Sequence, residues 1–284
     1  MKHLKTLALI AVGFMICLWL KSCTQPSPIA SQTINELQGK LVLTGSSTVA
    51  PLAAEIGKRF ESQYPGVRID VQTGGSSRGI ADVQRGVADI GMISRSLQAE
   101  EQDLQGFAIA RDGISIIIHQ DNPVKSLSNQ QVVDIYTGKI NNWQQVNGNN
   151  APITVVNKAE GRSTLELFLN YFQIQNSNIK ASVVIGDNQQ GIKTVAGSPN
   201  AIGYVSIGTA EFSRNSGINI KLLPLNEIAA TTENVQNQTF PLARSLNFVT
   251  KTPPQGLKQA FIEFAQSPQV HDIIQQQEFV PISK

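Results

Sequence analysis

From about residue 39 onward the chain alternates between two hydrophobic patterns. Short apolar or β-branched runs suit strands buried in a sheet, and each is followed by apolar residues recurring every three or four positions, the spacing of one helix face. Residues 41–43 form the first such run, and Leu52, Ile56 and Phe60 then predict a helix with Pro51 in its first turn, closed by Tyr64-Pro65-Gly66. Residues 67–73 alternate as a second strand, and Ile80, Val83 and Val87 follow at helical spacing. Residues 89–93 predict a third strand, after which Glu100, Glu101 and Asp103 fit the first turn of a helix, where acids are favoured. A long strand is expected over 107–118, a short helix over 127–136 and a polar loop around Trp143 over 138–150. The β-branched run 153–156 predicts another strand, and Leu165, Phe168, Leu169 and Phe172 mark one face of the helix after it. Strands at 183–185, 201–205, 220–225 and 246–250, with helices at 189–195, 257–265 and 270–276, complete the pattern. Such alternation predicts an α/β fold built on parallel sheets.

In sheets of that kind ligands sit at the carboxyl ends of strands, where loops lead into helices. Four turns rich in hydroxyl groups fall there. Thr44-Gly45-Ser46-Ser47-Thr48-Val49 precedes the first helix, and Gly74-Gly75-Ser76-Ser77-Arg78-Gly79 precedes the second. Ser94-Arg95-Ser96 follows the third strand, and Lys158-Ala159-Glu160-Gly161-Arg162-Ser163-Thr164 opens the helix at Leu165. Ser163 and Thr164 occupy the place of an N-cap, and the free N–H groups of a first helical turn attract anions. A neighbouring guanidinium adds a fixed charge with a planar fork of donors. One such turn describes an ordinary capped helix; four, three of them flanked by Arg, point to a shared oxyanion.

Gly75-Ser76-Ser77-Arg78-Gly79 also fits the G-x-S-x-G nucleophile elbow, with Ser77 as nucleophile, Asp187 as acid and His271 as base in the expected order. Against this serine-hydrolase reading, no His-Gly-Gly-Gly element precedes Ser77, and His271 lies in a helical run. No P-loop motif occurs. His119 and His271 fit structural or surface positions, Asp89 a loop support, and Trp143 and Phe172 the core. No enzymatic activity, cofactor or metal is expected.

Charge and the first residues add a compartment. Lys2 and Lys5 precede a 14-residue apolar run, 7–20, and Leu20-Lys21-Ser22-Cys23 resembles a bacterial lipoprotein signal with Cys23 as the lipidated residue. Lys21 departs from the small residue usual at that place; an ordinary cleaved signal peptide and an uncleaved anchor are the alternatives. Residues 1–23 are therefore read as signal and 24–38 as a flexible linker. Loss of 1–22 removes Lys2, Lys5 and Lys21 and no acid, so 23 basic against 21 acidic residues become 20 against 21. A near-neutral exported body argues against nucleic acid as a partner. With Cys17 removed, only Cys23 remains, so no disulfide can form within the chain, and no His, Cys or carboxylate set has the spacing of a zinc site.

The four turns, together with Ala88-Asp89-Ile90-Gly91-Met92-Ile93-Ser94-Arg95, Ala201-Ile202-Gly203-Tyr204-Val205 and Phe240-Pro241-Leu242-Ala243-Arg244, resemble those of the PstS-like phosphate-binding proteins of bacterial ABC importers. These are type II periplasmic binding proteins. The resemblance extends from about Gly39 to Ile282. It implies a two-lobed periplasmic binding protein fold, each lobe a mostly parallel sheet flanked by helices, the lobes joined by two crossover strands near 116–120 and 240–247. Lobe I would comprise 39–117 plus 243–284, and lobe II 118–242. Inorganic phosphate would lie in the cleft. Ser46, Ser47, Thr48 and the Val49 N–H would hold it from the first turn, Ser76 and Ser77 from the second, Ser94 or Arg95 from the third, and Arg162, Ser163 and Thr164 from the fourth, with Lys158 and Glu160 as further candidates.

Three departures from the family pattern bear on ligand choice. Gly161-Arg162-Ser163-Thr164 stands where Gly-Ser-Gly-Thr is usual, Lys158 replaces an expected Arg, and Ser94 stands where some members have an Asp that accepts the phosphate proton. Arg162 would restore the missing bidentate donor. The alternatives are sulfate or another tetrahedral oxyanion as ligand, and an oxyanion sensor rather than a transport component. As a transport component the protein would be a periplasmic or cell-surface monomer, held at the membrane by lipid and docking on ABC permease subunits.

Overall fold

The computed structural model describes residues 37–282. The signal 1–23, Cys23 and all but the end of the linker 24–38 lie outside the described residues. Ten strands share one sheet, whose main path runs β2-β1-β3-β9-β4-β7-β5-β6. β1 (Gly39–Gly45), β2 (Val67–Thr73) and β3 (Ile90–Ile93) are mutually parallel, as are β5 (Thr154–Lys158), β6 (Val183–Ile185) and β7 (Ala201–Ser206). Two strands run antiparallel between these groups. β4 (Gln105–His119) pairs with β9 (Ala243–Thr250) through Gly113, then with β7 from Ile114 onward. The change of partner falls between Gly113 and Ile114. β8 (Ile220–Leu222) and β10 (Val280–Pro281) add antiparallel pairings to β4. The expected parallel sheets are thus present, welded by an antiparallel centre.

Each half has its own core. In the first, α1 (Val49–Gln63) buries Leu52, Ile56 and Phe60 against Leu43, Phe248, Phe261 and Phe264, the last three contributed by β9 and α8 (Gly256–Ala265). In the second, Phe168 of α4 (Ser163–Phe172) stacks on Tyr204 with ring centroids 4.0 Å apart and also meets Tyr136 of α3 (Asn129–Tyr136). Trp143 closes this core, and its indole N–H donates to the Asn200 carbonyl at 2.9 Å. The aromatic cluster underlies the start of α4 and so fixes the height of the fourth turn.

Backbone contact sets the first two turns. Gly45 has φ +135°, which favours glycine, and a Cβ there would collide with the Met92 carbonyl oxygen. β1, β3 and the start of α2 (Ser76–Gln84) therefore approach main chain to main chain, which brings the Ser46 and Ser76 turns side by side.

The hydrophobic pattern fails where periodicity outruns a local stop. α2 ends at Gln84 and Gly86 turns left-handed, so Val87 lies outside the helix and is 64% exposed. The helix expected after Ser94 is a single 3-10 turn, Ala99–Glu101, whose start carries a capping box between Gln98 and Glu101. α6 (Ile207–Asn215) and α7 (Thr232–Gln236) were not indicated by the pattern, since their apolar residues are few. α5 (Asn188–Ala196) and α9 (His271–Gln276) fall close to their predicted places. No helix among the described residues is long and apolar enough to cross a membrane.

Phe168→Ala would leave a cavity beneath α4 and should cost about 3–5 kcal/mol in equilibrium urea unfolding. A loss below about 1 kcal/mol would show that the aromatic cluster does not support the fourth turn.

Candidate functional site

All four turns meet. Ser46, Ser47, Thr48, Gly75, Ser76, Ser94, Arg162, Ser163 and Thr164 line one small space of about 10 Å³. The residues at the N-cap positions of α1, α2 and α4 are Thr48, Gly75 and Arg162, and none caps its own helix with a side chain. Ser163 and Thr164 are thus not caps, as their position had suggested, but the first helical residues. Three helix starts and a set of hydroxyl groups face a common point, an arrangement suited to an anion.

Arg244 organises these hydroxyls. Its Nε and Nη2 donate to Asp112 Oδ2 at 3.0 and 2.8 Å. Nη1 donates to Ser94 Oγ (3.3 Å) and Thr164 Oγ1 (3.0 Å), and Nη2 to Thr48 Oγ1 (3.3 Å). One guanidinium thereby touches the first, third and fourth turns. Asp112 and Arg244 are directly opposed across β4 and β9. Neither was singled out as a site residue from sequence. The available signal was an Arg and an Asp inside apolar strand runs, where an unpaired charge is costly.

A second chain of contacts crosses from the other half. Lys158 Nζ donates to Asn188 Oδ1 at 3.0 Å, and Asn188 Nδ2 donates to Thr48 Oγ1 at 2.9 Å. Lys158 is therefore one residue removed from the lining. Burial, then repulsion from Arg244, lowers its ammonium from 10.5 to about 7; Asp187 opposes this shift and Arg162 adds to it.

Several candidates are placed elsewhere. Arg95 does not turn toward the common space: Nη1 and Nη2 grip Glu101 at 2.7 and 2.8 Å, and Nε donates to Glu166 at 2.7 Å. Two carboxylates so close outcompete any neutral partner. Ser77 is exposed, with its N–H donating to Gly161 O (3.2 Å) and its hydroxyl 3.5 Å from Glu166. The Val49 N–H lies 3.4 Å from Ser46 Oγ, which also accepts from the Thr48 N–H. Glu160 accepts from Asn176 at 3.1 Å, and Asp89 braces β1 by accepting from the Val42 N–H at 2.8 Å. Arg162 lines the space and also donates to the carbonyl oxygens of Gly74 and Gly186, one from each half.

The hydrolase arrangement is not assembled. Ser77 lies against Gly161 and Glu166, Asp187 caps α5 through the Gln190 N–H, and His271 opens α9 on a wall shared with Arg111 and Gln275. Among the described residues no group of His, Cys, Asp and Glu could hold a metal ion.

Comparison with known proteins agrees with this geometry. The model of the PBP superfamily domain matches residues 30–269. The phosphate-binding protein PstS of Bacillus subtilis is 27% identical over 252 residues, covering 86% of this chain and 81% of that protein. A crystal structure of a substrate-binding protein with bound phosphate from Clostridium perfringens superposes with TM-score 0.79 at 31% identity, covering 86% of this chain and 100% of that one. An ABC-type phosphate transport receptor from Vibrio cholerae gives TM-score 0.70 at 27% identity, covering 85% and 100%.

Asp112→Asn would strand a buried guanidinium and should lower stability by about 3–5 kcal/mol in denaturant titrations. A second test concerns pH. Between about 7 and 10.5 the unfolded chain holds a proton on Lys158 that the folded chain has released, so stability should rise with pH across that window. Lys158→Met should flatten this rise; an unchanged slope would assign it to another group.

Proposed function

The chain belongs to the PBP superfamily, and from that premise we infer that it captures inorganic phosphate between two lobes and delivers it to the permease of an ABC transporter. The observation that carries this reading is the convergence of the four strand-end turns on one buried, donor-rich space organised by Arg244. The names of the Bacillus subtilis, Clostridium perfringens and Vibrio cholerae relatives support phosphate as the ligand.

Residues 39–117 with 243–284 form the first proposed lobe and 118–242 the second. Phosphate would be held by hydroxyl groups of Ser46, Ser47, Thr48, Ser76, Ser94, Ser163 and Thr164, with helix starts supplying N–H groups and positive potential. Arg244 would set the orientation of those hydroxyls from behind. Arg162 would fasten the closed form, since its guanidinium holds Gly74 of one lobe and Gly186 of the other. Arg95 supports the same closure by joining Glu166 across the cleft. The work is capture and release: an open form admits the anion, protein donors replace its water, and closure buries it. Export and a lipid anchor on Cys23 complete the reading, placing the protein outside the cytoplasmic membrane beside its permease as a monomer.

Titration calorimetry with inorganic phosphate should give saturable one-to-one binding. Arg162→Ala should weaken it roughly tenfold or more through faster dissociation, since charge-assisted hydrogen bonds are worth about 1.5–3 kcal/mol. Absence of any phosphate binding by the folded wild type would overturn the reading.

A further inference from the structure

Lys158 closes β5 and is 3% exposed. A buried ammonium needs acceptors for its three N–H donors, or a carboxylate to pair with. Among the described residues Lys158 Nζ finds one acceptor, Asn188 Oδ1 at 3.0 Å, and no carboxylate at ion-pair distance. Four elements set the charged and titratable groups that face it. Arg244 on β9 and Arg162 at the start of α4 repel it, and Asp187 at the start of α5 attracts it from farther away. Tyr204 on β7 accepts from the Lys158 N–H at 3.4 Å, and burial raises its phenol, which stays neutral. Asp112 is engaged by Arg244. The protein alone therefore leaves this ammonium uncompensated, in keeping with its fall to about 7.

The contact with Asn188 connects that proton to the site. An ammonium can only donate, so it holds the Asn188 amide oxygen on its own side and turns Nδ2 to Thr48 Oγ1, 2.9 Å away. Arg244 Nη2 donates to the same oxygen at 3.3 Å. Both lone pairs of Thr48 Oγ1 are then used, and its proton turns into the common space as a donor. A neutral amine has a lone pair of its own and can accept from Nδ2. The amide is then free to turn over, presenting Oδ1 to Thr48 and drawing the hydroxyl proton away from the site. Asn188 is 2% exposed and its side chain has no other hydrogen bond among the described residues, so these two neighbours decide its orientation.

We propose that Lys158 is a positioning residue that takes up a proton as the anion binds, its ammonium holding Asn188 so that Thr48 donates to the ligand. The proposal rests on the phosphate-binding reading above. An anion in the common space supplies the negative charge that the protein withholds, and the proton and the anion each favour the other by the same factor. The proton comes from solvent and stays on Nζ; no bond within the ligand changes. Above about 7 each capture consumes a proton, so affinity falls as pH rises until the higher value of the bound state is passed.

The test is titration calorimetry with inorganic phosphate at about pH 8.5, in two buffers of different ionisation enthalpy, on the full chain, Lys158→Met and Lys158→Arg. The difference between buffers counts the protons taken up, and any proton acquired by phosphate itself is common to all three proteins. The wild type should take up roughly half a proton or more per phosphate beyond either variant. From about pH 7.5 to 8.5 its affinity should fall severalfold more than that of Lys158→Arg, about tenfold being the limit for one proton. Lys158→Arg, with a fixed charge, should bind more tightly than Lys158→Met. A purely structural lysine would change affinity without changing the proton count. Should a variant fail to fold, carbon-13 NMR of lysine Cε in the wild type serves instead: the resonance titrating near 7 should move above about pH 9 with phosphate. Equal proton uptake in wild type and variants, or a lysine midpoint unmoved by phosphate, would overturn the assignment and leave phosphate binding standing. A folded wild type that binds no phosphate would overturn both.

Discussion

The pairing of Arg244 with Asp112 holds the rest of the molecule in register. Their side chains are 1% and 0% exposed, so two charges have been taken wholly out of water, a large desolvation cost that their attraction offsets only with good geometry and further hydrogen bonds. Both conditions are met. The residues face each other across β4 and β9, and the free Asp112 oxygen accepts from the Gly208 N–H at 3.1 Å, at the start of α6. The guanidinium then spends its remaining donors on Ser94, Thr164 and Thr48. A pair that would be weak evidence for stability alone thus serves as a template. Three turns distant in sequence are oriented by one planar group, and none of them can shift without giving up a bond to it.

The position of that pair matters as much as its bonds. It lies where β4 leaves β9 and takes up β7, between the two parallel groups of strands. Hydroxyls supplied by both halves therefore reach a group rooted in the strands that join them. The contacts farther out are of another kind. Arg95 with Glu166, and Arg162 with main-chain oxygens, tie one half to the other without touching the central pair. Orientation of donors and fastening of the halves are separate tasks carried by separate residues.

Most strands and the longer helices were legible in the sequence because burial imposes a period, as in Leu52, Ile56 and Phe60 or in the run before Lys158. The turns were legible because hydroxyl groups at strand ends have few purely structural reasons to recur. What the chain concealed was long-range. Arg95 reads as a ligand donor until Glu101 and Glu166, 6 and 71 residues away, are seen to claim it. Ser163 reads as a cap until α4 is found to begin one residue earlier than a cap would require. Arg244 and Asp112 are separated by 132 residues, and only strand pairing reveals them as partners. Val87 marks the opposite error, a periodic residue stranded past a left-handed glycine.

The fastening by Arg162 has a lopsided dependence on sequence. Its two acceptors are the peptide oxygens of Gly74 and Gly186, groups that every residue type carries, so neighbouring side chains can drift without removing them. Drift is barred at Gly75, whose φ is +96° and where any Cβ would collide with the Arg162 guanidinium. Mutational freedom around the cleft is thus wide for side chains and narrow for two positions. The Gly161 carbonyl oxygen, 2.6 Å from where that Cβ would sit, is a second obstacle and belongs to the backbone, so the glycine is required whether or not the arginine is kept.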